Sequence, residues 1–401
     1  MKIAFLSDFH LGYGYNTELE DDSFDNADEA MEAALDSDLI VILGDIFDSR
    51  MPKTSVWARA IKILVKPLLH KATGVKLISC TKELKKISER TLHHLPVVAL
   101  HGNHERRHDT NAVEALENAG VLVHLHCQTV VFEKDGIRIA LHGMSSVPER
   151  YAAATMREWG PKPLPDCVNI LLLHQSIDPY VYSPLEPLSL SVSNLPKGFD
   201  LIVNGHIHIA CEDIVNGKPL LMPGSTVITQ FEENEAKTKK GFYEVVVKAN
   251  KIDFNFRPLE NSRKFFYEKL TIDGSASMRV QIENKLNDIL KAKTRKPPLI
   301  RLRISGKKAD VIEQELREIE RAYADKAVIR FVKELESPEL VKKIEFLRNL
   351  REEKLSVEEI GMRLLKANLE ELNFSSSFAY ENIFNMLLDG DVERAFNALS
   401  S

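Results

Sequence analysis

Carboxylate, amide and imidazole side chains recur in this chain wherever a short apolar run stops. Leu39-Ile40-Val41-Ile42-Leu43 leads into Gly44-Asp45, and other runs lead into Asp8-Phe9-His10, Gly102-Asn103-His104-Glu105, His174 and Gly205-His206-Ile207-His208. Apolar runs this short read as strands buried on both faces rather than as helices. Groups at the carboxyl ends of parallel strands meet at the edge where open α/β folds take their ligands. Oxygen and imidazole donors without a thiolate suit Mn²⁺, Fe or Zn²⁺ rather than an iron–sulfur cluster or copper(I). We expect Asp45 to bridge two divalent metals, because the two oxygens of a carboxylate can offset two positive charges. Two metals about 4 Å apart can clamp the attacking and leaving oxygens of a phosphoester and supply hydroxide at neutral pH. Taken singly, each group has a plainer reading. Asn103 could be a turn residue, His104 the start of a helix and His174 a satisfied core histidine. Their shared position at strand ends points to a site.

The elements that must position these groups follow from hydrophobic periodicity. A strand over 2–7 precedes a loop loosened by Gly12 and Gly14. Ser23 can cap a helix carrying Ala27, Ala30, Met31 and Ala34. The 39–43 strand follows, then a helix over 55–69, a basic excursion over 71–94, a strand over 96–100 and a helix over 111–118 closed by Gly120. Such alternation makes βαβ units and a mostly parallel sheet. Short strands over 121–125, 129–133 and 137–142 come next, the last two joined by an Asp135-Gly136 turn. A helix over 149–159, strands over 168–173 and 201–204, an Asn216-Gly217 hairpin and strands over 242–247 and 251–257 complete the region. Residues 1–260 therefore read as an α/β, two-sheet sandwich flanked by helices. Residues 261–335 read as a small α/β capping domain and 336–401 as a helical tail with apolar stripes.

A chain of 401 residues with 44% hydrophobic content has room for two or three domains. No apolar run approaches the roughly 20 residues of a membrane span, and the start of the chain runs straight into a strand without a leader. Four scattered cysteines fit reduced thiols in a cytoplasmic protein. The net charge of −6 hides an uneven pattern. From Ile3 to Ser49 there are many acids and no Lys or Arg, whereas Lys291 to Lys308 is basic throughout. Such a run is either a solvated face or a track for a polyanion.

Asp8-x-His10, Gly44-Asp45, Gly102-Asn103-His104-Glu105, His174 and Gly205-His206-x-His208 together resemble the calcineurin-like metallophosphoesterase superfamily. Within it the chain is similar to the Mre-eleven/SbcD type, nucleases of DNA double-strand-break repair. Ser7-Asp8-Phe9-His10-Leu11-Gly12-Tyr13, Leu173-His174-Gln175, Met222-Pro223-Gly224-Ser225 and Lys240-Gly241-Phe242-Tyr243 carry the likeness. The resemblance implies two Mn²⁺ ions, or other divalent metals, in a shared site. Asp8, His10, Asp45 and His208 would hold one metal and Asp45, Asn103, His174 and His206 the other, with His104 protonating the leaving oxygen. It implies DNA as substrate, contacted by the basic segments 76–90 and 291–308. It also implies a homodimer through the helices 55–69 and 111–118, and a Rad-fifty/SbcC-type ABC ATPase docked on the tail. The setting would be the cytoplasm, at the nucleoid. One departure stands out. Many relatives have a histidine three residues after the bridging aspartate, where this chain has Asp48. That spacing also occurs in phosphatases of the superfamily, in which Arg50 and Arg106 would serve the phosphate, so a phosphatase is the alternative reading. A non-catalytic scaffold is a third, set against the presence of all seven ligands.

Overall fold

The structure is a computed structural model that describes residues 1–107, 109–181, 189–248, 251–272, 276–305, 313–334 and scattered positions within 361–396. Met1–Val181 and Leu188–Glu336 form one compact unit. Most of the expected tail, 336–401, lies outside the described residues; within it the helix Tyr380–Leu388 is seen.

Two sheets dominate. The first has the spatial order Lys251–Pro258, Gly241–Lys248, Lys2–Leu6, Leu39–Ile42, Val97–Ala99, Val123–His124. Its last four strands are parallel. The second runs Cys211–Val215, Lys218–Met222, Leu201–Asn204, Val168–Leu173, Ile137–Met144, Gln128–Lys134, Lys76–Cys80. Strand alternation divides the first sheet's apolar residues between two faces. Ile3, Phe5, Leu39, Val41 and Leu43 pack on Phe132, Leu141, Leu172 and Val203 of the second sheet. Ala4, Leu6, Ile40 and Ile42 pack against the helices Asp22–Ala34 and Thr54–Leu64. The second sheet's outer face is covered by the helix Glu149–Trp159 through Ala152 and Met156. This is the expected two-sheet sandwich, and its parallel strand ends all point one way.

Several local expectations change. Ser23 is not a cap: it lies inside the Asp22–Ala34 helix, after Asp21, and its hydroxyl accepts from the Gly12 N–H at 3.3 Å. The helix expected over 55–69 stops at Leu64 and restarts as Lys66–Leu69, because Pro67 has no N–H to continue the ladder. The excursion over 71–94 supplies Lys76–Cys80, the edge strand of the second sheet, antiparallel to Gln128–Lys134. Its Lys82 is buried against Glu117 at 2.6 Å rather than offered to a polyanion.

Phe265–Thr271, Leu299–Ser305 and Val328–Glu334 make a three-stranded parallel sheet packed on the helices Met278–Ile289 and Glu313–Tyr323. Phe265, Leu299 and Val328 meet Leu19 and Ile228 of the sandwich. Charge reinforces this seat. Arg263 pairs with Asp22 in a nearly buried contact, Lys296 reaches Asp22 at 3.1 Å and Asp25 at 2.8 Å, and Arg330 reaches Glu18 at 3.7 Å. Arg301 donates to the Phe231 carbonyl at 2.7 Å and contacts Glu232 at 3.2 Å. Within the basic run, Lys296 thus answers the acidic N-terminal stretch, flanked by Arg263 and Arg330 from outside the run. Lys307 and Lys308 lie outside the described residues.

Candidate metal centre

The site forms where the parallel strands end. Asp8, His10, Asp45 and His206 all take positive φ, at 52°, 47°, 48° and 79°. Non-glycine residues hold that conformation only where their surroundings impose it, commonly at functional sites. Two glycines let the loops close on one another. A Cβ on Gly102 would lie 2.0 Å from Asp45 Oδ1, and one on Gly44, at φ 103°, would lie 2.6 Å from His174 Nδ1.

Two donor clusters result. In the first, His10 Nε2 lies 3.0 Å from His208 Nε2, and Asp8 Oδ1 lies 3.5 Å from His208 Nε2 and 3.9 Å from His10 Nε2. In the second, His174 Nε2 lies 3.3 Å from Asp45 Oδ2 and 3.2 Å from Asn103 Oδ1, which is 3.1 Å from His206 Nδ1. Asp45 Oδ2 also lies 3.9 Å from His10 Nε2, so one oxygen faces both groups. All seven expected ligands therefore converge, and their acidic and imidazole members form groups able to hold an ion.

The surroundings of these atoms fit cations. Asp8 Oδ2 accepts from the Ser7 hydroxyl and from the His206 N–H at 3.2 Å, whereas the buried Oδ1 has nothing nearer among the described residues' side-chain donors than His208 Nε2 at 3.5 Å. Three imidazoles engage Nδ1 outward: His10 to Asp48 Oδ1 at 3.2 Å, His174 to the Leu43 carbonyl at 2.6 Å and His208 to Thr229 Oγ1 at 2.6 Å. With Nδ1 donating, each Nε2 turns a lone pair inward, the usual arrangement of a metal-ligating histidine. Lone pairs facing one another at such distances repel unless a positive charge lies among them. Burial disfavours a charged His174, but the Asp45 carboxylate prevails and lifts the imidazole to about 9. Burial likewise opposes ionisation of Asp8, yet His208 and His174 bring it down to about 2. A cation taking the His174 lone pair would displace its proton.

His104 stands at the mouth, about a third exposed. Its N–H donates to Asp45 Oδ1 at 2.9 Å and its Nδ1 engages the Asp48 carbonyl at 2.8 Å. That leaves Nε2 as the nitrogen able to exchange a proton. Asp48 thus orients two histidines, one through its carboxylate and one through its backbone, which gives a physical role to the departure noted in the sequence. Glu105 is a further contributor. Fully buried, its carboxylate accepts from the N–H groups of Asp45 at 3.1 Å, Phe47 at 2.8 Å and Gly102 at 2.6 Å. It ties the two loops together, and only its place beside His104 could have drawn attention to it. Arg50 and Arg106 are absent from both donor clusters and line a neighbouring cavity of about 870 Å³ with His101 and His126.

A family model for calcineurin-like phosphoesterases matches residues 1–210, slightly more than half of the chain. The chain belongs to the calcineurin-like phosphoesterase family. The matched part of this phosphoesterase carries all of the converging residues described above. Over 290 residues it is 27% identical to the DNA double-strand break repair protein Mre11 of Methanopyrus kandleri, covering 66% of this chain and 58% of that one. It is 26% identical over 329 residues to the double-strand break repair protein MRE11 of Encephalitozoon cuniculi, covering 76% and 56%. The corresponding protein of Sulfolobus acidocaldarius is 25% identical over 318 residues, covering 76% and 75%. The chain thus spans little more than half the length of the first two relatives. Among the described residues of this phosphoesterase, no helix is long and apolar enough to cross a membrane.

Proposed function

We propose that this chain is a two-metal DNA nuclease of double-strand-break repair, acting as a 3′–5′ exonuclease on duplex ends and as an endonuclease. The observation that carries this reading is the pair of buried donor clusters sharing Asp45 Oδ2. Likeness to three break-repair proteins supports DNA as the substrate. Asp8, His10, Asp45 and His208 would hold one Mn²⁺, and Asp45, Asn103, His174 and His206 the other. Bound there, such ions supply Lewis acidity toward the phosphodiester. The chain's own residues do the rest. His104 delivers a proton from Nε2 to the leaving oxygen, Asp48 holds that ring and His10 in register, and Glu105 keeps the loops of Asp45 and Asn103 together.

By the same reading, residues 1–260 are the nuclease domain, 261–335 the cap and 336–401 the segment that docks a Rad-fifty/SbcC-type ATPase. The protein works as a homodimer at the nucleoid in the cytoplasm. The test is a side-by-side assay with Mn²⁺ on linear duplex DNA and on p-nitrophenyl phosphate. Duplex degradation far exceeding monoester turnover is expected. Monoester turnover alone would favour the phosphatase reading, and no turnover of either would favour the scaffold.

A further inference from the structure

Two motifs in the sequence, Met222-Pro223-Gly224-Ser225 and Lys240-Gly241-Phe242-Tyr243, have no part in the chemistry above. Both pack against His208. A Cβ on Gly224, at φ 76°, would come 2.9 Å from the His208 carbonyl, and the Ser225 N–H donates to that carbonyl at 3.2 Å. Lys240 is buried and uses all three of its N–H groups. They go to the His208 carbonyl at 3.1 Å, Ser225 Oγ at 2.7 Å and Glu235 Oε1 at 2.6 Å. Glu235, equally buried, accepts from the backbone N–H of Thr229 at 3.2 Å, Gln230 at 2.9 Å and Phe231 at 2.9 Å. A buried ion pair of this kind contributes little net stability but can hold one geometry. Here the geometry held is that of the 229–232 loop leading into the helix Glu233–Lys237, and the Thr229 hydroxyl of that loop meets His208 Nδ1 at 2.6 Å.

The same loop is gripped from the small α/β sheet, where Arg301 donates to the Phe231 carbonyl at 2.7 Å and contacts Glu232 at 3.2 Å. Lys269 of that sheet pairs with Glu233 at 2.9 Å.

We propose that Thr229, Glu235 and Lys240 are positioning residues for His208, and that Arg301 braces their loop so that the seat of the small sheet sets the affinity of the cation site holding His208. This rests on His208 being a metal ligand. The test is Mn²⁺ titration of the full chain by calorimetry, with bound Mn²⁺ counted by paramagnetic resonance. Wild type should take up two ions. Thr229→Val should weaken one of them about 10- to 100-fold, the range for loss of a group that orients a ligand, and leave the other unchanged. Thr229→Ser, which keeps the hydroxyl, should restore wild-type affinity. Arg301→Ala should weaken the same ion to a smaller degree. Unchanged affinity in Thr229→Val, or equal losses in the Val and Ser variants, would overturn the role of the hydroxyl. A normal titration of Arg301→Ala would overturn the link to the small sheet. No uptake by wild type would instead sink the metal reading itself, and this inference with it.

Discussion

His104 touches the shared aspartate through its backbone and leaves its ring at the mouth of the site, so metal uptake and turnover should separate there. His104→Gln is expected to lower the rate about 10²- to 10⁴-fold, the usual contribution of a positioned proton donor. Metal content, measured by atomic emission after desalting, should stay at the wild-type value; loss of both would remove the proton-donor role. At this scale the sequence was informative about the groups that face inward. Asp8, His10, Asp45, Asn103, His174, His206 and His208 could be picked out because each follows an apolar strand. It was silent about what holds them. The Leu43 carbonyl behind His174 is a backbone atom with no residue-type signal. Thr229, behind His208, lies on a loop that no spacing connects to the histidine. Asp48 stands out in the sequence only as an exception, because its use as a hydrogen-bond acceptor for His10 depends on how the two loops meet.

Strand ends bring these groups together, and the close approach of neighbouring loops is the vulnerable point. Gly102→Ala would drive a Cβ to 2.0 Å from Asp45 Oδ1 and 2.5 Å from the Asp45 nitrogen. One loop must move, so metal affinity should fall at least tenfold, with a lower melting temperature; an alanine variant that titrates normally would contradict the geometry. Central strands such as Leu39–Ile42 were readable because burial on both faces leaves an unbroken apolar run. The edge strand Lys76–Cys80 was missed because it is short and none of its residues is buried, and only pairing with Gln128–Lys134 makes it a strand. Pro67 signalled the helix break in plain view. The periodicity across it, from Trp57 to Leu68, was the more persuasive cue and the wrong one.

At the scale of the whole molecule, part of the charge segregation among the described residues is internal docking: Arg263 and Lys296 meet Asp22, and Lys296 also meets Asp25. A sequence shows that acids and bases segregate, but not which of them will face each other after folding. Arg263 and Asp22 are both less than a tenth exposed. Breaking such a pair costs about 3–5 kcal/mol, and Lys296 remains to share Asp22, so Arg263→Met should lose about 3 kcal/mol in urea denaturation. A loss near zero would mean that the pair does not anchor the small sheet.

Buried histidines give the fold an acid limit. Burial holds His101 down to about 3 and puts His124 and His142 below their usual value as well. Unfolded imidazoles titrate near 6.5. Below that pH the unfolded chain binds protons that the folded chain refuses, so stability declines as pH falls, by up to about 1.4 kcal/mol per unit for each such histidine. Buried Glu105, raised to about 8, works in the opposite sense over the same range, so the urea midpoint should drop between pH 7 and pH 5 by less than the three histidines alone would give, and a midpoint that rises would contradict the burial of these rings.

The pairing of the basic run with the chain's own carboxylates also bears on how tightly a polyanion could be held. Counterions leave a nucleic acid only when a protein cation replaces them, and a cation already neutralised internally replaces fewer. The slope of log affinity against log salt, near −0.9 per neutralised phosphate, should then be shallower than a tally of lysines and arginines from 291 to 308 suggests. Replacing Asp25, which shares Lys296, with asparagine should steepen it.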